Sequence, residues 1–170
     1  MRIVSLACGE TPGVWVLGDS SVRRFDAEGQ GVADFELDRL PWSIGLDEAN
    51  DSIWVGFDGE AACYSPAGQR IGGFRDAPRL GRATAIERVG ESIVVGDATG
   101  RCLRLYDLDG RWIRDIGNAN RTQGLLIPNG VVDFDVDRRS STLVVANPAK
   151  RTSPWRRTAA SRSRKRLRLA

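Results

Sequence analysis

The chain contains no histidine among its 170 residues. That removes the commonest general base, the usual zinc ligand and every Ser-His or Cys-His nucleophile pair. Long hydrophobic runs are missing as well; none approaches the roughly 20 residues of a membrane-spanning helix. The opening MRIVSLACGE holds only a brief apolar stretch before Cys8, too short for a secretory leader, so a cytoplasmic chain with no membrane attachment is expected. Cysteine is scarce: Cys8, Cys63 and Cys102 are odd in number, widely spaced and form no Cys-x-x-Cys pair. Such a set reads as free thiols in a reducing compartment rather than as a zinc site. No glycine-rich phosphate loop follows a strand and opens a helix. No catalytic residue, cofactor or metal ligand is therefore assigned.

One end also lacks acid. Residues 150–170 hold nine Lys or Arg and no Asp or Glu, so the remainder carries 16 basic against 22 acidic residues, a net charge of −6. The body is acidic and the basic character belongs to the tail. Residues 1–150 and 151–170 are accordingly treated as two regions.

What the body does have is turns and a period. Nineteen glycines and seven prolines fit short strands joined tightly. Three segments align: VWVLGDSSVRRFDAEGQGVADF, IWVGFDGEAACYSPAGQRIGGF and IVVGDATGRCLRLYDLDGRWIRDI. Each opens with an apolar strand, at residues 14–17, 53–57 and 93–95. A Gly/Asp/Ser/Thr turn then leads to a second strand ending in Phe25, Tyr64 or Tyr106. Next comes an aromatic-x-x-x-Gly turn closed by Gly29, Gly68 or Gly110, and a third strand ending at Phe35, Phe74 or Ile116. Trp15 precedes Trp54 by 39 residues, and Trp54 precedes Val94 by 40. The linking segments SIGLDEAN, ATAIERVG and VVDFDVDRRS alternate apolar and polar residues and supply a fourth strand per unit. Four short strands every 40 residues or so describe a β-propeller blade. The fold class is therefore all-β: a partial propeller of about three four-stranded blades plus part of a fourth. The aromatics before the turns are expected to pack between blades, and the turn glycines to take positive φ.

PWSIGLDEANDSIWVGFDGEAACYSPAGQRIGGF and ATAIERVGESIVVGDATGRCLRLYDLDGRWIRDIG resemble NHL repeats. The resemblance covers roughly residues 3–150; the WD dipeptide and the double-glycine kelch signature are absent. GLLIPNGVVDFDVDRRSSTLVVANPAKR is similar to a later blade of bacterial six-bladed NHL-type proteins, but stops without its aromatic. The resemblance implies a six-bladed ring of which this chain would be a truncated part. It implies a non-catalytic scaffold for an unknown protein partner, with self-association through exposed blade edges as a further expectation.

Two alternatives stand beside that reading. Some propeller lactonases hold calcium or zinc with Glu, Asn and Asp around the central channel; Glu87, Asn129, Asp133 and Asn147 would be the counterparts, although surface turns favour the same residue types. Asp47, Asp97 and Asp135, near strand ends, are expected to bond turn amides rather than to move protons. Trp15, Trp42 and Trp54 are expected in the core rather than stacked on carbohydrate. The tail RTSPWRRTAASRSRKRLRLA could bind nucleic acid through its charge and Trp155. The reading preferred is a disordered segment translated out of frame, since it begins where the repeat calls for a strand; nucleic acid is not the expected partner.

Overall fold

A computed structural model of the chain describes residues 2–117, 125, 130–137, 142–146 and 164–168. Four antiparallel sheets follow one another, each a meander with its strands side by side in chain order. The first blade holds β1 (Ser5–Ala7), β2 (Val14–Leu17), β3 (Ser21–Phe25) and β4 (Gly31–Glu36). The second holds β5 (Ser43–Asp47), β6 (Ser52–Phe57), β7 (Glu60–Tyr64) and β8 (Arg70–Arg75). β9 (Ala83–Val89), β10 (Ser92–Asp97), β11 (Cys102–Asp107) and β12 (Trp112–Ile116) form the third. β13 (Asp133–Asp137), β14 (Thr142–Ala146) and β15 (Arg164–Arg168) make the last. This is the expected partial propeller of three four-stranded blades and part of a fourth.

The linking segments prove to be the first strands of the next blade, β5, β9 and β13. These strands touch one another from blade to blade, which places them innermost. Burial follows from position. In the middle blade every residue of β6 and β7 is buried, because blades lie against both faces. The outer strands β4, β8 and β12 are mostly exposed.

The three repeated aromatics lie at the end of β3 and β7 and one residue before the end of β11, each at an irregular step in the pairing with the outer strand. At each step the outer strand carries one additional residue: Val32, Ile71 or Ile113, all exposed. The β-bulge bends the outer strand and tightens its twist. The following turn is held the same way each time. The amides of Gly29, Gly68 and Gly110 donate to the carbonyls of Asp26, Ser65 and Asp107. The side chains of those three residues accept from the amides of Gln30, Gln69 and Arg111.

Tyr64 and Tyr106 pack between blades as expected. Tyr64 stacks on Phe35 of the blade before it at 5.6 Å between centroids, and Tyr106 lies against Phe74 at 4.4 Å. Burying such a ring is worth about 1.5–3 kcal/mol, and the aromatic pair adds roughly 0.5–1.5 kcal/mol. The turn glycines belong to the same contact. Gly68 and Gly110 have φ of 82° and 79°, and a Cβ on either would run into the ring of Phe35 or Phe74. Two reasons therefore exclude a side chain there: backbone strain and a ring already in place.

Buried charges lock the blades from inside. Glu60 is buried and pairs with Arg39, ahead of its own blade, at 2.9 Å and with Arg70 on β8 at 2.7 Å. Asp97 is fully buried and accepts from Arg104 Nε at 2.7 Å, and from the amides of Gly100 at 2.8 Å and Gly81 at 3.2 Å. Arg104 reaches on to Asp115 at 2.9 Å. Charges taken out of water need such complete partnering to persist.

Two observations differ from the sequence reading. β1 is a strand that the sequence pattern does not show, because three residues are too few for a periodicity to register. The tail, expected to be disordered throughout, contributes Arg164–Arg168, which pair along β14 with Leu167 opposite Leu143. The unpaired edge of β14 supplies the physical reason: a row of open backbone donors and acceptors recruits an extended segment. The rest of the tail, Trp155 included, lies outside the described residues.

Candidate functional site

The inner strands converge on a shared concavity. Residues 5–8, 43–46, 84–87 and 133–135, one segment from each blade, line a cavity of about 320 Å³. A neighbouring space of about 510 Å³ continues it past Ile3, Trp42, Val131 and Asp133. This is the channel side of the propeller arc.

Its walls are stitched by hydroxyl groups that no sequence motif marks. Ser43 Oγ donates to the carbonyl of Ala83 at 2.7 Å, joining the second blade to the third. Thr84 Oγ1 donates to the carbonyl of Val132 and accepts from its amide, both at 2.9 Å, joining the third to the fourth. Each hydroxyl bridges two segments some 40 residues apart, a relation invisible to local pattern.

The charged groups of the lining are all carboxylates: Glu48, Glu87, Asp133 and Asp135. Glu48 is braced by the amides of Glu10 at 2.5 Å and Thr11 at 3.4 Å. Desolvation by the channel wall raises the pKa of Asp133 above the ordinary carboxylate value, and neighbouring Asp135 adds to the rise against the opposing backbone bond at Phe134. Arg2, at the same mouth, is engaged with Asp19 at 3.1 Å. The channel is acidic, in keeping with the body of the chain.

Of the four lactonase-type counterparts, Glu87 and Asp133 meet at this cavity; Asn129 and Asn147 lie outside the described residues. Among the described residues no three His, Cys, Asp or Glu side chains gather closely enough to hold a metal ion. The expectation for the strand-end aspartates holds for Asp97, which caps two glycine amides. Asp135 accepts from the adjacent Val136 amide at 2.8 Å rather than from a turn. Asp47 departs from it: its carboxylate takes Arg88 at 2.6 Å and the Asn50 side chain at 2.9 Å, because β9 brings Arg88 alongside the buried end of β5. Trp15 and Trp54 are buried in the blade interfaces. Trp42 instead lies half-buried at the channel beneath the Arg82 guanidinium, 4.2 Å from the ring centroid, since it precedes β5 rather than lying within a strand.

The cysteines are free, with Cys8 exposed and Cys63 and Cys102 buried. Burial pushes the Cys102 thiol up to about 12, against a smaller opposing pull from Arg104. Burial likewise raises Cys63 and the phenol of Tyr106. These groups ionise in the unfolded chain before they do so in the folded one. Their contribution to stability is therefore complete below an ordinary thiol or phenol pKa and is lost as pH rises through the folded values. We expect a maleimide to label Cys8 alone in the native protein at neutral pH. Unfolding titrations should show stability falling above about pH 9, the ordinary thiol range; equal labelling of all three thiols would contradict this burial.

No protein-family model matches the chain. Among solved structures it is similar to the nidogen/laminin complex, at 19% identity over 86% of this chain and 57% of that one, with a TM-score of 0.65. It is similar to the WD40 β-propeller domain of Doa1, at 9% identity over 85% and 48%, with a TM-score of 0.60. A protein of unknown function from Bacteroides caccae matches at 15% identity over 86% and 56%, with a TM-score of 0.67. Such likeness speaks for the fold: the molecule is a β-propeller arc. It spans about half the length of these solved chains. Among the described residues no helix is long and apolar enough to cross a membrane.

Proposed function

We propose that this chain is a non-catalytic, NHL-type propeller repeat protein that presents its channel face to a protein partner. The concave wall itself carries the reading. Exposed Ile3 and Val131 line the channel with Asp133, and Glu87 and Asp135 line the adjoining part of the same wall. Apolar side chains next to carboxylates suit a partner loop that pairs an apolar residue with a lysine or arginine. The carboxylates of Asp47, Glu60 and Asp97 are engaged with arginines away from this wall.

A displayed peptide library tests the proposal when selected on the wild-type protein and counter-selected on a Glu87→Lys, Asp133→Lys double variant. Basic–apolar peptides should emerge that bind the variant at least about tenfold more weakly. An Ile71→Ser control on the outer rim should bind them as the wild type does. A selection whose peptides fail to distinguish the double variant from the wild type rules the channel face out.

A further inference from the structure

We infer that the guanidinium of Arg82, held over the Trp42 ring at the channel, is a binding subsite for a carboxylate carried by the ligand. The inference rests on the channel face being the one that binds, and it supplies a second charge for the ligand to meet there.

Arg82 is unlike the arginines that join the blades. Arg39, Arg88 and Arg104 each reach a buried carboxylate: Glu60 at 2.9 Å, Asp47 at 2.6 Å and Asp97 at 2.7 Å. Cζ of Arg82 instead lies 4.2 Å from the centroid of the Trp42 ring. Asp58 stands opposite Arg82 in an isolated backbone bridge, yet the guanidinium turns to the ring and forms no ion pair with that carboxylate. The backbone is fixed on both sides. The Arg82 amide donates to Thr99 Oγ1 at 3.1 Å, and its carbonyl accepts from the Ala98 amide at 3.0 Å. Nε of the side chain is buried and, among the described residues, has no hydrogen-bond partner. A cation shielded from water on one side, with no carboxylate beside it, attracts an anion to its remaining N–H groups more strongly than a fully hydrated arginine does.

Nη1 lies by the turn at Gly130, where an added Cβ would sit 3.7 Å from it. The next residue, Val131, lines the cavity of about 510 Å³ together with Trp42 and Asp133. The head group therefore stands at the edge of that cavity, between an aromatic wall and the approach to β13. Its chemistry selects the anion. The paired N–H groups of a guanidinium match the two oxygens of a carboxylate. A doubly charged phosphate is disfavoured, because Glu87, Asp133 and Asp135 line the adjoining wall and repel it. One negative charge answers one arginine. A ligand that spans the cavity thus sets its carboxylate at Arg82, apolar atoms against Trp42 and Val131, and a cationic group toward Asp133.

Three short peptides test the proposal. They are N-acetyl-lysyl-leucine with a free terminal carboxylate, its C-terminal amide, and C-terminally amidated N-acetyl-lysyl-aspartate, whose carboxylate is in the side chain. Each is titrated into the full chain while NMR follows the Arg82 Nε–H signal, assigned with an Arg82→Gln variant. The acidic wall alone favours the leucine amide, which carries the greater positive charge. At least one carboxylate peptide should nevertheless bind about tenfold more tightly than that amide and shift the Arg82 signal. The tighter of the two shows whether the carboxylate belongs to a chain terminus or to an acidic side chain. Arg82→Gln should abolish the preference. Circular dichroism establishes that the variant is folded; should it not fold, the peptide comparison on the wild type carries the test. The inference is overturned by an amide that binds as tightly as both acids, by a preference that survives Arg82→Gln, or by no saturable shift with any peptide. If the preference holds while the Glu87→Lys, Asp133→Lys variant binds the peptides as the wild type does, the carboxylate subsite stands and the basic contact proposed for the wall fails.

Discussion

Replacing Asp97 with alanine should cost roughly 3–5 kcal/mol, the scale for breaking a buried ion pair from one side. The carboxylate is fully buried and receives three donors: Arg104 Nε and the amides of Gly81 and Gly100. Its removal strands two turn amides and leaves Arg104, itself buried, with Asp115 alone. Water cannot readily repair the loss, because the Gly100 turn closes over the pair; a Cβ there would already strike the arginine and the carboxylate. Asp97→Asn keeps the shape and one acceptor and should lose distinctly less. Urea unfolding midpoints at constant m-value measure both. A cost below about 1 kcal/mol for the alanine variant would place this pair among weak surface bridges instead.

Phe74→Ala should be comparably damaging, at about 3–5 kcal/mol for an aromatic truncated in a packed interior. The ring is buried between Trp54 at 6.3 Å and Tyr106 at 4.4 Å, and it fills the space above Gly110. It shares one buried cluster with Trp54, Ala61, Cys63 and Leu80 against the third blade. The neighbouring backbone is held by the sheets on both sides, so the cavity can collapse only in part. Phe74→Leu should recover much of the loss. Truncating Phe35, which is only partly buried against Tyr64, should cost less than truncating Phe74. The order of the three midpoints is the measurement; equal costs for Phe35→Ala and Phe74→Ala would mean that ring burial at the blade interface is not what sets the loss.

Much of this architecture was legible because a blade writes its own pattern locally. The aromatic at each bulge, the glycine four residues on and the 39- and 40-residue steps between Trp15, Trp54 and Val94 all reflect contacts made within a hairpin or repeated by every unit. The channel was far less legible. Ser43 meets Ala83, Thr84 meets Val132 and Asp47 meets Arg88 across blade boundaries, and a polar residue gives no sign in sequence of which distant strand will lie beside it. Trp42 shows the same limit from the other direction. It reads as a core tryptophan by kind, but its place just ahead of β5 puts it at the channel under Arg82. Of the lactonase-type set, only Glu87 and Asp133 could be followed into the structure, and they were chosen by residue type rather than by position.

The bulges on the outer strands govern how these molecules behave when crowded together. Val32, Ile71 and Ile113 are apolar and exposed on the rim, a composition that would ordinarily invite strands of neighbouring molecules to stack into fibrils. At each of these residues the backbone skips a partner, so an incoming straight strand loses register one residue after it begins to pair. Growth of a continuous ribbon from the rim is thereby interrupted without a single charged residue at those three positions.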